Sequence, residues 1–381
     1  MLASVRRALE LSRLRSREDH ALPFHRQLWE MALLQLTTRL GPGNYHKYRL
    51  WQKSIPWEEK RGYWHDQKYY AFLDRVNPLS YRCIARNKVL AKSLLRFYGL
   101  PDARYLGTLG RSRSFAGDGR VLARTQDLET WLQDGTATRR LCFKPVEGSG
   151  GEGFRAAELL RGDRLMLRNL GEEAARPLAD YIEHELQGLR GTDYVMEEYV
   201  EQHPVLAEFN PSSLNTVRVW IGRSTQGEAR VIGIYLRVGM RGSLVDNRLS
   251  GGFGVEIDQA SFTTGAAIPQ DSGGEAFARH PDSGFDMSGI QLPFQAEVIA
   301  LSKKVIDILP ATRFVGLDIA FSRTGPVIIE FNLAPTAIGA CVLQQSHQRL
   351  LGWILDERAG AAVHPFPATR PGPGGSEQAP G

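Results

Sequence analysis

Asp318, Glu330 and Asn332 are the side chains whose spacing points most directly to chemistry. They lie in residues 314–335, which read FVGLDIAFSRTGPVIIEFNLAP. Two apolar runs flank Ser322-Arg323-Thr324-Gly325-Pro326, a stretch with the Gly/Pro content of a hairpin turn. With the hairpin centred on Thr324, Asp318 lies six residues before the centre and Glu330 six after. The two carboxylates then oppose each other in an antiparallel pair, and period-2 alternation puts Asn332 on the face of Glu330. Like charges across a ladder repel, and an acid among Val, Ile and Phe is costly unless paired. A hard divalent cation removes both objections, since Mg²⁺ takes oxygen ligands from one or two carboxylates plus phosphate oxygens. The hairpin reads as a Mg-nucleotide platform; the alternative is a surface hairpin whose acids face water.

A second group of candidates lies upstream. Residues 141–145 (LCFKP) predict a short buried strand ending in Lys144 and running into VEGSGGEGF. Gly148, Gly150, Gly151 and Gly153, with Ser149 among them, let backbone N–H groups turn towards an anion without Cβ clash. With a lysine at the strand exit, the expected ligand is a nucleotide polyphosphate. The loop is neither a GxxxxGK[ST] phosphate loop nor a GxGxxG dinucleotide fingerprint. Taken alone it is a flexible turn as readily as a phosphate cradle. Arg218 and Arg237 fall in strand-like runs. Strand arginines commonly snorkel at an edge, but two near a phosphate site suit polyphosphate or acyl-phosphate binding.

These side chains need a scaffold, and the pattern supplies one. Residues 2–17 predict a short basic amphipathic helix, and residues 24–40 a second helix stopped by Gly41-Pro42-Gly43. Residues 44–81 mix Tyr, Trp, Lys and His, able to stack on bases or sugars or to pack as core. Residues 1–80 are thus a helical N-terminal region. Asn87-Lys88 opens a further helix, closed by Gly99 and Pro101. Residues 155–193 read as a polar, helix-bearing connection. Strand-like runs at 194–200, 216–221, 229–238 and 252–257 make the later half sheet-rich and antiparallel. Residues 239–254 form a Gly/Asn/Asp loop suited to a substrate, and the polar stretch 260–289 is expected to be mobile. Helices are predicted over 292–309 and 338–354. From about 363 the Pro/Gly-rich chain cannot build a core and is expected to be disordered.

Composition sets the outer bounds. With 381 residues, 42% of them hydrophobic, the chain can bury sizeable cores in two or three domains or subdomains. Cys83, Cys142 and Cys341 stand far apart in no CxxC pattern. That argues against a disulfide framework or zinc site and fits a reducing cytoplasm. No apolar run approaches the about 18 residues of a membrane span, and the first twenty residues lack the apolar core of a signal peptide. Residues 1–61 carry 12 Lys/Arg against 6 Asp/Glu, leaving 35 against 36 for the remainder. The basic excess leaves open contact with nucleic acid or a peripheral membrane surface, or simply a solvated helix.

In order, the chain offers Lys88 on a helix, Lys144 with a glycine loop, a Met-Glu-Glu-Tyr-Val hinge, strand arginines and an Asp…Glu-x-Asn hairpin. This order resembles the ATP-grasp superfamily over roughly residues 80–345. The likeness is nearest to the group associated with sugar transfer, through ARNKVLAKSLLRFYGLP, FKPVEGSGGEGF, SSLNTVRV, VDNRLSGGFG and GLDIAF…IIEFNLAP. It implies an α+β fold in which two subdomains, 81–195 and 196–360, clasp ATP. The helical region precedes them, and a disordered tail over 361–381 follows.

The resemblance further implies that Lys88 and Lys144 contact the α/β phosphates while the 148–153 loop closes over β and γ. Backbone groups of Glu197 and Val200 would read the adenine edge, Met196 would pack on the ring, and Glu201 or Glu208 would hold the ribose. Asp318, Glu330 and Asn332 would bind two Mg²⁺ ions, with Mn²⁺ an acceptable substitute. Many relatives carry an arginine two residues before the metal aspartate, where this chain has Gly316. Many also have Pro-Gly after the asparagine, where it has Pro335-Thr336. Arg218 or Arg237 must then supply the missing charge.

The implied chemistry is an ADP-forming carboxylate–amine ligase working through an acyl phosphate. Its partners would be small carboxylates and amines of amino-acid or amino-sugar type, and its setting cell-envelope or exopolysaccharide modification. Nucleic acid is not an expected partner. Two rivals keep the nucleotide site: a phosphotransferase acting on a small-molecule or sugar acceptor, and a non-catalytic ATP-binding module.

Overall fold

A computed structural model describes residues 2–134, 138–148, 150–247, 250–269 and 274–355. Seven helices come first: α1 (Leu2–Arg15), α2 (Phe24–Thr38), α3 (Pro42–Lys47), α4 (Trp57–Arg61), α5 (Asp66–Val76), α6 (Leu79–Arg86) and α7 (Lys88–Phe97). Next are β1 (Tyr105–Leu109), β2 (Ser114–Ala116), β3 (Val121–Leu122), α8 (Thr125–Asp134), β4 (Arg140–Pro145), β5 (Arg155–Leu160), β6 (Met166–Asn169), β7 (Ala175–Pro177), α9 (Leu178–Glu185) and β8 (Tyr194–Glu198). The remainder holds α10 (Pro204–Phe209), β9 (Thr216–Arg223), β10 (Ala229–Val238), β11 (Phe253–Ile257), β12 (Thr264–Ile268), α11 (Gln295–Asp307), β13 (Phe314–Phe321), β14 (Pro326–Asn332), α12 (Gly339–Val342) and α13 (His347–Leu351).

Among the described residues the strands form two antiparallel sheets. The first has eight strands in the order β3-β2-β1-β8-β4-β5-β6-β7, and the second six in the order β12-β11-β10-β9-β13-β14. Alternation along β4 and β8 gives the first sheet two different faces. Leu141, Phe143, Tyr194 and Met196 join Leu128, Trp131 and Tyr181 of α8 and α9 in one core. The residues between them, Cys142, Lys144 and Glu197, interact with one another and so share the opposite face.

The second sheet has a core on each side. On one, α11, α10 and the inner residues of α6 and α7 pack on β9, β10 and β13. On the other, the helical N-terminal region closes with α12 and α13 over Trp220, Tyr235 and Phe314. The aromatic stretch is therefore core: Tyr45, Tyr48, Trp51, Tyr63, Trp64 and Tyr69 are all buried. Glu30 and Lys60 are buried with it as an ion pair of 2.8 Å, and the Tyr45 hydroxyl donates to Glu30.

Several expectations are corrected. Residues 155–193 contain three strands besides α9, because β5 pairs with β4 and the next two strands add outward. Runs such as RAAELL have weak β-propensity, and the neighbouring strand decides their state. The described part of 260–289 carries β12, paired with β11, and buries Phe262 and Met287. Residues 338–354 are not one helix: α12 and α13 are separated by Gln344 at φ 48°. The 361–381 tail lies outside the described residues.

α7 touches both sheets. Asn87 caps it, its side-chain oxygen accepting from the N–H groups of Val89 and Leu90 at 3.1 and 3.2 Å. Its apolar face, with Leu95, belongs to the core of the second sheet. Its first residue nonetheless bonds the first: the Lys88 N–H donates to the Val146 carbonyl at 2.9 Å, just beyond β4. Leaving α7, the chain bonds the edge of the second sheet, where the Ile328 N–H donates to the Pro101 carbonyl at 2.9 Å.

Candidate active site

The β13–β14 hairpin pairs Asp318 with Glu330 and Gly316 with Asn332. The pairing arises differently from a plain symmetric hairpin. Phe321 opposes Pro326 across a four-residue turn, and Ile319 opposes Ile328, so Ile329 is an extra residue in β14. That bulge brings Glu330 opposite Asp318. Asn77 holds the open end of the hairpin. Its amide nitrogen donates to the carbonyls of Phe314 and Leu333 at 2.6 Å, and its oxygen accepts from the N–H groups of Arg313 and Phe314 at 3.1 Å.

Asp318 lies between β9 and β14 and is almost fully buried. Arg218, directly across the β9–β13 ladder, grips both its oxygens, and Arg237 of β10 donates to Oδ2 at 2.9 Å. Arg237 also pairs with Asp246 at 2.9 Å, and Asp246 accepts from the Thr216 N–H and hydroxyl. Burial raises the Asp318 carboxyl, but the two guanidiniums outweigh it and hold the group below the usual range. Glu330 moves the other way: burial and then the Asp318 charge push it up, against the pull of Lys88 and the two arginines.

Gly316 and Pro335 explain each other. A Cβ on Gly316 would lie 2.8 Å from the Pro335 ring, so no arginine fits there while the chain turns as it does. The Tyr69 hydroxyl donates to the Pro335 carbonyl at 2.8 Å and fixes that turn. The cation beside Asp318 arrives instead from the neighbouring strand, as Arg218.

Facing this hairpin is the glycine loop. Gly148, Gly150, Gly151 and Gly153 all have positive φ, between 70° and 143°. A Cβ on Gly153 would meet Pro145 at 2.8 Å, and one on Gly151 would meet Val245 at 3.1 Å. The loop thus rests on the 239–254 segment of the other sheet. Ser149 lies outside the described residues. The Lys88 ammonium donates to the Gly148 carbonyl at 3.3 Å. Burial lowers its pKa, while Glu330 raises it and Lys144 lowers it further. Lys144 feels Glu330 as well, so both lysines lie within electrostatic reach of the hairpin.

Lys144 pairs with Glu197 at 2.6 Å, and Glu197 also pairs with Lys92 at 3.0 Å. Burial alone would raise the Glu197 carboxyl; Lys144 and Lys92 reverse this and hold it ionised. Burial pushes the Cys142 thiol up to about 12, leaving it protonated beside Glu197.

The hinge expectations fare unevenly. Met196 points away from this face into the core beneath the first sheet, so its side chain has no exposed surface for a ring. The reason is alternation: on β8 the neighbour of Glu197 must face the other way. Glu197 itself offers a buried side chain and not only backbone. Val200 and Glu201 follow β8, with Glu201 exposed, and Glu208 is exposed on α10. Lys92, Asp246 and Asn77 escape the sequence reading. Asp246 sits within VDNRLSGGFG and Lys92 one turn after Lys88, but nothing local marks either as buried and paired.

The donor set fits a hard divalent cation. No described side chain donates a hydrogen bond to Glu330, and Asn332 adds an amide oxygen on the same strand face. Among the described residues Asp318 Oδ1 accepts only from Arg218, so it retains a lone pair. The four positive-φ glycines leave backbone N–H groups free of Cβ cover beside Lys88 and Lys144, a fit for phosphate oxygens.

No curated protein matches the chain. Among solved structures, an N5-carboxyaminoimidazole ribonucleotide synthetase from Thermotoga maritima is 12% identical, covering 75% of this chain and 54% of its own, with a TM-score of 0.39. A D-alanine–D-alanine ligase from Bacillus anthracis is 13% identical, covering 71% and 66%, at 0.39. A biotin carboxylase from Campylobacter jejuni is 13% identical, covering 68% and 43%, at 0.38. The chain spans about half the length of the synthetase and less of the carboxylase, and at such scores the likenesses carry no argument. The sequence pattern of one family, described as sugar-transfer associated ATP-grasp, matches residues 67–349. That match spans well over half of the chain, and the protein belongs to the sugar-transfer associated ATP-grasp family.

Proposed function

We propose that the protein is an ATP-dependent carboxylate–amine ligase. The observation that carries this reading is the meeting of Lys88 and Lys144, beside the glycine loop, with the Asp318–Glu330 pair of the opposite sheet. Two lysines beside a turn of positive-φ glycines, opposite a carboxylate pair, suit a triphosphate and its metal better than a neutral ligand. Glu330, Asn332 and the free side of Asp318 would hold Mg²⁺, which when bound neutralises phosphate oxygens.

A substrate carboxylate oxygen attacks the γ-phosphorus, the bond to the β–γ bridging oxygen breaks, and ADP leaves. An amine then attacks the acyl carbon, phosphate departs with the bonding electrons, and the amine proton is released. Lys144 and Lys88 position and balance the phosphate charge, Arg218 and Arg237 keep Asp318 ionised, and the 148–153 loop excludes water. Glu197 and Val200 are proposed for the adenine edge, with Glu201 or Glu208 for the ribose. The substrates are proposed as amino-acid or amino-sugar type, in envelope or exopolysaccharide modification.

The test is ADP release with Mg²⁺ against pooled amino acids, amino sugars and small carboxylates, repeated with hydroxylamine. A hydroxamate is expected; a stable phosphorylated product instead would establish the kinase reading. Glu330→Ala should reduce ADP formation by about a hundredfold or more, and ordinary turnover in that variant would remove the metal role.

The N-terminal region carries a second, independent reading, peripheral contact with an anionic membrane surface. It is favoured by Trp29 and Leu36, which stand 49% and 82% exposed on α2. Arg26 stacks on Trp29 at 4.3 Å, and Trp57 lies 5.8 Å from it.

A further inference from the structure

Lys92 is a buried lysine with no place in the chemistry above. Its ammonium has three protons and three acceptors: Asp102 at 2.8 Å, the Ala103 carbonyl at 2.6 Å and Glu197 at 3.0 Å. Glu197 is likewise divided, with Oε1 on Lys92 and Oε2 on Lys144. Asp102 is itself anchored, forming a parallel bridge with Ile328, two residues before Glu330. A chain of alternating charge therefore runs from the edge of the second sheet through Asp102, Lys92 and Glu197 to Lys144. Its formal sum is zero. Without Lys92 the sum is −1, beside a cleft read above as a triphosphate site, and Glu197 would be free to act on Lys144 alone.

We infer that Lys92 is a positioning residue for Lys144. By holding the far oxygen of Glu197 and tying it to the segment paired with β14, it leaves the Lys144 ammonium available to an anion in the cleft. The identity of that anion rests on the nucleotide reading; the positioning does not. A lysine kept only for packing would give the same burial but no effect on the protonation of Lys144. The charged and titratable groups that act on Lys144 are Glu197, Cys142, Lys88 and Glu330.

The test compares wild type, Lys92→Met, Lys92→Arg and the double variant Lys92→Met/Asp102→Asn. Two quantities are read: the rate at which an amine-acylating reagent labels Lys144 across pH, located by peptide mass, and MgATP affinity by calorimetry. In Lys92→Met the undivided Glu197 should move the labelling profile up by about one pH unit, a tenfold lower rate at fixed pH. MgATP should bind about tenfold more weakly. Lys92→Arg should restore both.

The double variant returns the charge sum to zero and should recover MgATP affinity in part, while its labelling profile stays shifted. It serves as the comparison if Lys92→Met does not fold. An unchanged Lys144 profile in either Met variant overturns the inference. A wild type that binds no MgATP while Lys92→Met still shifts the profile would remove the nucleotide reading and leave the positioning role standing.

Discussion

At the scale of single residues, the site holds two carboxylates of opposite character one strand apart. Asp318 is kept ionised by Arg218 and Arg237; Glu330 is pushed towards its neutral form by burial and by Asp318. A carboxyl whose folded pKa is raised weakens the fold as pH climbs past its unfolded value of about 4.3. At pH 7.5 without ligands, Glu330→Gln should therefore melt higher than wild type, by about 1–3 °C. Mg²⁺ with ATP should then raise the melting temperature of wild type by more than that of the variant. A Gln variant less stable than wild type would mean that Glu330 is already well compensated by Lys88. Such a trade of stability for a ligand site is common where function needs an uncomfortable group.

At the scale of elements, the hairpin depends on its fastening as much as on its own ladder. Asn77 satisfies four backbone groups with one buried amide, which no local pattern in VNPLS advertises. Asn77→Ala should remove these four hydrogen bonds, with the Arg313 N–H keeping the Val76 carbonyl, and destabilise by about 2–4 kcal/mol, read from urea unfolding; a loss below 1 kcal/mol would show that water replaces the amide. The same element shows how far a sequence reading reaches. Alternation and the Gly/Pro turn place Asp318 opposite Glu330, which the ladder bears out. The bulge at Ile329 that makes it so is invisible, because nothing in PVIIEFN distinguishes a bulged isoleucine from a regular one. Strands β5 to β7 are hidden for a related reason, since their state is decided by β4 alongside.

At the scale of the whole molecule, the N-terminal helices and the C-terminal pair α12–α13 act as one buttress behind the second sheet. His347 joins them, its Nδ1 accepting the Trp64 backbone N–H at 3.1 Å with its ring stacked on the indole. Burial lowers its pKa to about 3, and that of His46 to about 4. Between those values and about 6.5 the unfolded chain binds the extra protons, so stability is full above pH 6.5 and falls as pH drops. The slope should approach about 1.4 kcal/mol per pH unit for each histidine. His347→Gln should flatten the pH dependence of the melting temperature between pH 6 and 4; an unchanged slope would clear His347 of that role. On the outer side of the same buttress, the protein should co-sediment with vesicles containing anionic phospholipid and not with neutral ones. Trp29→Ser/Leu36→Ser should abolish this. Binding to neither vesicle, or self-association lost in the same variant, would remove the membrane reading.

The amino-acid sequence by itself determined the ATP-grasp class, the strand-end lysine with its glycine turn and the Asp…Glu-x-Asn hairpin. Each is encoded within a few residues, by alternation, by glycines at positive φ, or by an ordered set of short motifs. Only the tertiary structure decided which charges meet. Arg218 reaches Asp318 across a ladder that joins residues a hundred positions apart, Pro335 takes the space that Gly316 leaves, and Lys92 shares Glu197 with Lys144. Burial turns these from isolated charges into coupled ones, since ion pairs strengthen and unpaired ions become costly once water is excluded.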